Sequence, residues 1–135
     1  MVYQKQYKTP KKRNKTNKRK QRKRNTRKNA NPVPKLVIVK IWAKWCGHCQ
    51  ALEPEWEKMQ VELVNNKGIK LESIEESDYD NGIQQFNQTW LPNSSNKVAI
   101  QQGYPTIAKV NLSKQTVDYY TGERVSPELI KWIYM

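Results

Sequence analysis

The sequence has 135 residues, enough for one domain of ordinary size, and its 25 Lys+Arg against 12 Asp+Glu give a formal net charge of +13. Two cysteines are too few for the disulfide framework of a small secreted domain, and with one histidine they fall short of the four ligands of a structural zinc site. We therefore expect neither a metal nor a cofactor. No apolar run is long enough for a transmembrane segment or a secretory signal.

The positive charge is concentrated in the N-terminal part of the chain. Residues 1–30 hold 14 basic residues and no acidic one, whereas residues 31–135 hold 11 basic and 12 acidic residues. The first 30 residues have almost no aliphatic side chains, so they cannot bury enough apolar surface to offset the entropy of ordering. We therefore divide the chain into a disordered basic tail, residues 1–31, and a folded domain, residues 32–135. The proline-containing linker 29–34 joins the two.

From residue 35 onward, hydrophobic spacing predicts alternating strands and helices. Leu52, Trp56, Met59 and Leu63 form one apolar stripe on the first helix, which we expect Pro54 to kink. Ser126 is expected to cap the last helix, with Pro127 at its first position. The predicted elements are strand 36–42, helix 46–65, strand 69–74, helix 82–90, surface loop 92–96, strands 106–112 and 116–120, and helix 127–134. This order indicates an α/β fold, in which a small mixed sheet of about four strands is covered by helices on both faces.

The run Cys46-Gly47-His48-Cys49 carries the chemistry of the domain. Cys46 falls between a strand and a helix, where the unpaired N–H groups and the dipole of the helix favour an anion, and His48 adds a donor or a positive charge. Cys49, three residues on, lies on the same helix face and can close a disulfide with Cys46. The Cys46 thiolate would attack a substrate disulfide, and Cys49 would resolve the mixed disulfide. The alternative is that the two cysteines only pack in the core.

The region around these cysteines resembles the active-site region of protein disulfide isomerase domains, which belong to the thioredoxin superfamily. The resemblance rests on residues 41–58, which include Trp45-Cys46-Gly47-His48-Cys49 and Pro54, and on two further blocks, Gly103-Tyr104-Pro105-Thr106 and Tyr120-Thr121-Gly122-Glu123-Arg124. It implies a thioredoxin-like fold over residues 33–134 and an enzyme that exchanges disulfides with protein substrates. It also implies a cis bond between Tyr104 and Pro105 and a substrate-binding surface formed by Trp45, Tyr104, Pro105 and Thr106. Arg124 is implied to approach and tune the resolving cysteine.

Two lysines depart from the pattern of that family. Lys40 occupies the position, six residues before the first cysteine, where the family usually carries a buried carboxylate that takes the proton of the resolving cysteine. Lys40 could reach solvent, act as a neutral base, or leave the role to another group. We expect it to reach solvent, because lysine stems readily place their charge at the surface. Lys44 stands where a proline is common and should favour the thiolate.

A histidine between the cysteines goes, in this family, with a more oxidising couple than proline. The resemblance therefore favours disulfide formation or isomerisation over reduction, together with a partner that recycles the cysteine pair. We expect a cytoplasmic, nuclear or virion location from the absence of a secretory signal. As a whole the chain is similar to thioredoxin-like proteins of large DNA viruses.

The basic tail offers a second function. A flexible cationic arm binds polyanions through counterion release, which predicts non-specific nucleic-acid binding. Targeting to the nucleus, a solvated arm and lipid contact are the alternatives. In the rival interpretation of the whole chain, the tail carries the function and the folded body is a docking module. The residues assigned to polyanion binding are Lys11, Lys12, Arg13, Lys18, Arg19, Lys20, Arg22, Lys23, Arg24, Arg27 and Lys28.

Overall fold

The computed structural model describes residues 33–135, and the basic tail with its predicted polyanion-binding residues lies outside them. The described part of the chain contains four strands and three α-helices, in the order that the hydrophobic spacing predicts. A single 3₁₀ turn, Glu76–Asp78, precedes the second helix. The elements are β1 (Leu36–Trp42), α1 (Gly47–Leu63), β2 (Ile69–Glu75), α2 (Tyr79–Trp90), β3 (Thr106–Asn111), β4 (Thr116–Tyr119) and α3 (Ser126–Ile133).

The strands form one mixed sheet in the order β2-β1-β3-β4. β1 pairs in parallel with β2, with Lys40 opposite Ser73, and antiparallel with β3, with Lys40 opposite Ile107. β3 and β4 form the predicted antiparallel hairpin. The predicted mixed four-stranded sheet is confirmed. Because β1 and β2 are parallel, their carboxyl ends, Trp42 and Glu75, meet at the same edge.

Side chains of β1 alternate between two apolar layers, one on each face of the sheet. Val37, Val39 and Ile41 pack in the layer beneath α2, together with Phe86. Ile38 packs in the layer beneath α1 and α3. The predicted stripe of α1 (Leu52, Trp56, Met59 and Leu63) is buried in that second layer. Each such large apolar side chain stabilises the fold by about 1.5–3 kcal/mol. The central strand is therefore covered on both faces, as predicted.

The helix ends differ in detail from the predictions. α2 begins at Tyr79, three residues before the predicted start. The expected cap at Ser126 is wrong: Ser126 is the first residue of α3, and no side chain within the helix caps it. Instead the buried Ser126 donates its N–H to Glu55 Oε1 of α1, at 2.9 Å. A carboxylate from a neighbouring helix thus satisfies one of the free N–H groups at this terminus.

The segment between α2 and β3 is held by side chains rather than by strand pairing. Asn87 of α2 accepts the N–H of Val98 and donates to the carbonyl of Val98. Near the end of the segment lies Gly103, whose φ of +120° falls in the region that favours glycine. No helix of residues 33–135 is long and apolar enough to cross a membrane.

Candidate active site

The two cysteines lie at the start of α1, immediately after the carboxyl edge of β1. Cys46 has an extended backbone and caps the helix, and its Sγ accepts the N–H of Cys49 at 3.1 Å. Both cysteines are buried and unbonded, and they pack with Ala43. The predicted strand–Cys-Gly-His-Cys–helix arrangement is thus present. A free N–H at a helix start directed at sulfur is the arrangement that stabilises a thiolate.

The loop before β3 closes over Cys46 from the opposite side. The Tyr104–Pro105 peptide bond is cis, as the resemblance implied. Cys46 Sγ lies 3.5 Å from the carbonyl oxygen of Tyr104, to which the thiol donates. Thr106 is buried, and its hydroxyl donates to the carbonyl of Gly103 at 2.8 Å and so ties the loop back on itself. A rigid backbone segment therefore faces the sulfur that would receive a substrate.

The exposed Trp45 and the half-buried Tyr104 form an aromatic edge beside the cysteines. The side chain of Trp45 is 66% exposed, and its ring meets that of Tyr104 edge-on, with centroids 5.6 Å apart. Its Nε1 donates to both carboxylate oxygens of Glu76, at 3.1 and 3.2 Å. Sequence analysis missed Glu76. Glu76 follows β2 directly, at the edge where the carboxyl ends of two parallel strands meet. That position in the sequence could have identified it as a site residue.

An open cleft of about 440 Å³ adjoins the cis-proline loop. Tyr104, Pro105 and Thr106 line it from the loop, and the exposed Arg124 lines it from the turn before α3. The structure thus brings Arg124 to the same cleft as three predicted substrate-binding residues. Its tuning of Cys49 stays a prediction. His48 is exposed on the first turn of α1.

Lys40 does not reach solvent, and that expectation is wrong. Its side chain is only 5% exposed, and its Nζ pairs with Glu53 Oε1 at 2.5 Å. The Nζ also lies 5.5 Å from the ring centre of Trp42 and 5.2 Å from that of Trp56. Contacts with two indole faces and a carboxylate replace the water that a free ammonium would seek.

Glu53 is the second residue that sequence analysis missed. It follows Cys49 by four residues, a spacing that places both on one face of α1 and could have singled it out. Its pairing with Lys40 also requires the knowledge that α1 packs over β1. Glu53 is half-exposed, with 49% of its side chain accessible. The ion pair therefore joins a buried cation to a carboxylate at the surface.

The pKa of Cys49 is raised well above its ordinary value. Burial is the main cause, followed by the hydrogen bond with Cys46 and the charge of Cys46. A backbone hydrogen bond of Ala43 and the charge of Lys40 act in the opposite direction and lower this pKa. Cys49 is therefore held as a thiol while Cys46 is free, which suits a resolving rather than an attacking cysteine.

Comparison with known proteins gives matches over the same region. The thioredoxin family matches residues 17–135. A protein disulfide-isomerase of Arthroderma benhamiae is 32% identical over 98 residues, which are 73% of this chain and 16% of that protein. A putative protein disulfide-isomerase of Schizosaccharomyces pombe is 30% identical over 99 residues, 73% of this chain and 17% of that protein. The chain thus spans about a sixth of the length of these relatives.

Among solved structures, the first thioredoxin domain of mouse protein disulfide-isomerase A4 superposes with a TM-score of 0.52 at 26% identity. That match covers 74% of this chain and 61% of the mouse chain. The thioredoxin-like fold predicted from the sequence is confirmed.

Proposed function

This chain belongs to the thioredoxin family, and we propose that it is a thiol–disulfide oxidoreductase acting on protein substrates through Cys46 and Cys49. The observation that carries the proposal is the N–H of Cys49 at 3.1 Å from Cys46 Sγ, at the start of α1. This contact places the two cysteines side by side at the helix start, where Cys49 can reach a mixed disulfide formed on Cys46.

The exchange has two steps. The Cys46 thiolate attacks one sulfur of a substrate disulfide, and the other substrate sulfur leaves as a thiolate. Cys49 then attacks Cys46 Sγ, forms the Cys46–Cys49 disulfide and releases the second substrate sulfur. The substrate chain would lie along the cis-proline loop, with Trp45 and Tyr104 as its apolar contacts. The reverse steps would oxidise a dithiol substrate.

We assign the domain to disulfide formation and isomerisation rather than to reduction. The support is His48 between the cysteines, as in the isomerase-like domains that the active-site sequence resembles. A recycling partner is required, because each substrate oxidised leaves the cysteine pair reduced.

The test is recovery of native pairing in a small protein with scrambled disulfides. The wild-type chain should restore the native pairing, and Cys46→Ser should lose this activity entirely, because it lacks the attacking sulfur. Cys49→Ser should instead accumulate the mixed disulfide with substrate, since the first step is intact and the second is absent. Equal activity in wild type and Cys46→Ser would refute the proposal.

A second function, polyanion binding, is favoured by the charge distribution, with 14 basic and no acidic residues in 1–30. Binding of the full chain to double-stranded DNA should weaken steeply with salt and be indifferent to sequence. Replacing the eleven assigned lysines and arginines with glutamine should abolish it and leave disulfide exchange intact. Binding that survives this replacement would contradict the assignment of polyanion binding to these eleven residues. A nuclear or virion location belongs to the same proposal.

A further inference from the structure

The two exchange steps above make no use of Lys40, although it is the one buried lysine among residues 33–135. Removing an ion from water costs several kcal/mol unless partners replace the water. Here the partners are Glu53 and the rings of Trp42 and Trp56. Trp42 in turn packs against the cluster of Ala43, Cys46 and Cys49. The ring of Trp42 therefore lies between the Lys40 ammonium and the cysteine cluster.

Resting on the proposed function, we infer that Lys40 is a positioning residue for the resolving step: its buried ammonium stabilises the Cys49 thiolate when Cys49 attacks the mixed disulfide. Glu53 and the two indoles hold that ammonium in place. Lys40 touches neither substrate nor the reacting sulfurs, and acts only through its charge.

The field of Lys40 at Cys49 is not cancelled by its own counterion. Glu53 is half-exposed, so water screens its carboxylate, whereas Lys40 is 5% exposed and its charge is screened far less. Burial raises the pKa of Cys49, and the charge of Lys40 acts in the opposite direction and lowers it.

The influence of Lys40 matters most once the mixed disulfide has formed. In the free dithiol, the charge of Cys46 and its hydrogen bond both raise the pKa of Cys49. When Cys46 Sγ is bonded to substrate, that charge is gone. Burial then still raises the pKa of Cys49, and Lys40 and the Ala43 backbone hydrogen bond still lower it. Two other titratable groups lie near Cys49: the carboxylate of Glu53, one helical turn away, and the phenol of Tyr104, whose pKa is raised by burial and then by nearby charges, that of Cys49 among them.

The step balances without a further reactant. Cys49 gives its proton to solvent and attacks Cys46 Sγ, so the Cys46–Cys49 bond forms as the bond between Cys46 and substrate sulfur breaks. The departing substrate thiolate takes a proton from solvent. Two electrons pass from the cysteine pair to the substrate, which leaves as a thiol.

The test follows release of glutathione from the mixed disulfide formed when the reduced full-length protein meets glutathione disulfide. Lys40→Met should slow release at neutral pH and move the midpoint of its pH profile upward. Lys40→Arg should keep the wild-type profile, because it keeps the charge. Lys58→Met is the matched control: Lys58 is an exposed lysine on α1, paired with Glu55. If Lys40→Met leaves the midpoint of the pH profile unmoved, the inference is overturned, even where the rate of release is lower at every pH.

A second measurement keeps this result separate from the proposed function. In Cys46→Ser, which cannot exchange disulfides, Cys49 is titrated directly by the ultraviolet absorbance of its thiolate. Adding Lys40→Met should raise that midpoint, and an unchanged midpoint would overturn the inference. If the wild type fails to react with glutathione disulfide, the proposed function fails, while this titration still decides whether Lys40 acts on Cys49. Methionine is a suitable replacement, because apolar residues of similar volume often replace buried ion pairs without loss of stability.

Discussion

Removal of the Glu53 carboxylate should destabilise the fold more than its surface position suggests. Glu53→Ala leaves the Lys40 ammonium, with a side chain only 5% exposed, without its anionic partner at 2.5 Å. The remaining contacts, the faces of Trp42 and Trp56, cannot accept a hydrogen bond of comparable strength from Nζ. The cost is therefore the burial of a charge rather than the loss of a surface ion pair.

The magnitude can be bounded from the exposure of the two partners. Breaking a fully buried ion pair costs about 3–5 kcal/mol, whereas an exposed pair contributes at most about 1 kcal/mol. Here the cation is buried and the carboxylate is 49% exposed, so water can partly replace the carboxylate. We expect a loss of about 2 kcal/mol in the free energy of unfolding, or about 8 °C in Tm for a domain of this size.

Urea unfolding followed by circular dichroism measures this loss. Glu57→Ala is the matched control, because Glu57 is exposed on the same helix and its replacement carries the same change in helix propensity. Lys40→Met combined with Glu53→Ala should recover most of the stability, since the buried charge is then gone. Equal stability of the Glu53→Ala and Glu57→Ala proteins would refute the reasoning, and so would failure of the double variant to recover.

The contact between α1 and α3 should make stability depend on pH in the acid range. The N–H of Ser126, and then Lys58, lower the pKa of Glu55. The contribution of Glu55 to the stability of the fold is therefore complete above the ordinary carboxyl pKa of 4.5, and it is lost as the pH falls through the lowered pKa. Urea unfolding across that range should show a smaller acid loss in Glu55→Gln, and identical acid profiles would contradict this role. Leu129→Ala, at a fully buried site of α3, should cost about 2–5 kcal/mol by the same method. It should leave the redox midpoint of the cysteines unchanged, because the cavity forms in the apolar layer beneath α1 and α3 and not in the cysteine cluster. A shifted midpoint would show that the two clusters are coupled and would contradict this prediction.

Local sequence signals were sufficient for the order of the elements and for the placement of the two cysteines at a helix start. The apolar run of β1 and the four-residue spacing of Leu52 and Trp56 are properties of short segments, and the structure reproduces both. Cys46 and Cys49 are three apart in the chain, so their proximity follows from helix geometry alone. The cis-proline loop was placed by its resemblance to a family, not by a physical signal in the sequence.

Long-range packing determined what the sequence did not reveal. A lysine in an apolar strand suggests snorkelling, because a single segment gives no partner for its charge. The partner of Lys40 is Glu53, 13 residues away on another element. Ser126 has the composition of a cap, yet the carboxylate that meets its N–H comes from Glu55, 71 residues earlier. Both outcomes depend on how α1 lies over the sheet, which spacing within one segment does not encode.

The redox equilibrium of Cys46 and Cys49 against defined glutathione ratios tests the central claim most directly. Fluorescence of Trp45, which adjoins Cys46 and is 66% exposed, reports the change, and Cys49→Ser provides the baseline. The proposed oxidase and isomerase activity predicts one reversible two-electron transition with a midpoint near about −180 mV. A midpoint near about −270 mV would instead assign the domain to reduction, and the absence of any reversible transition would contradict disulfide exchange at this site.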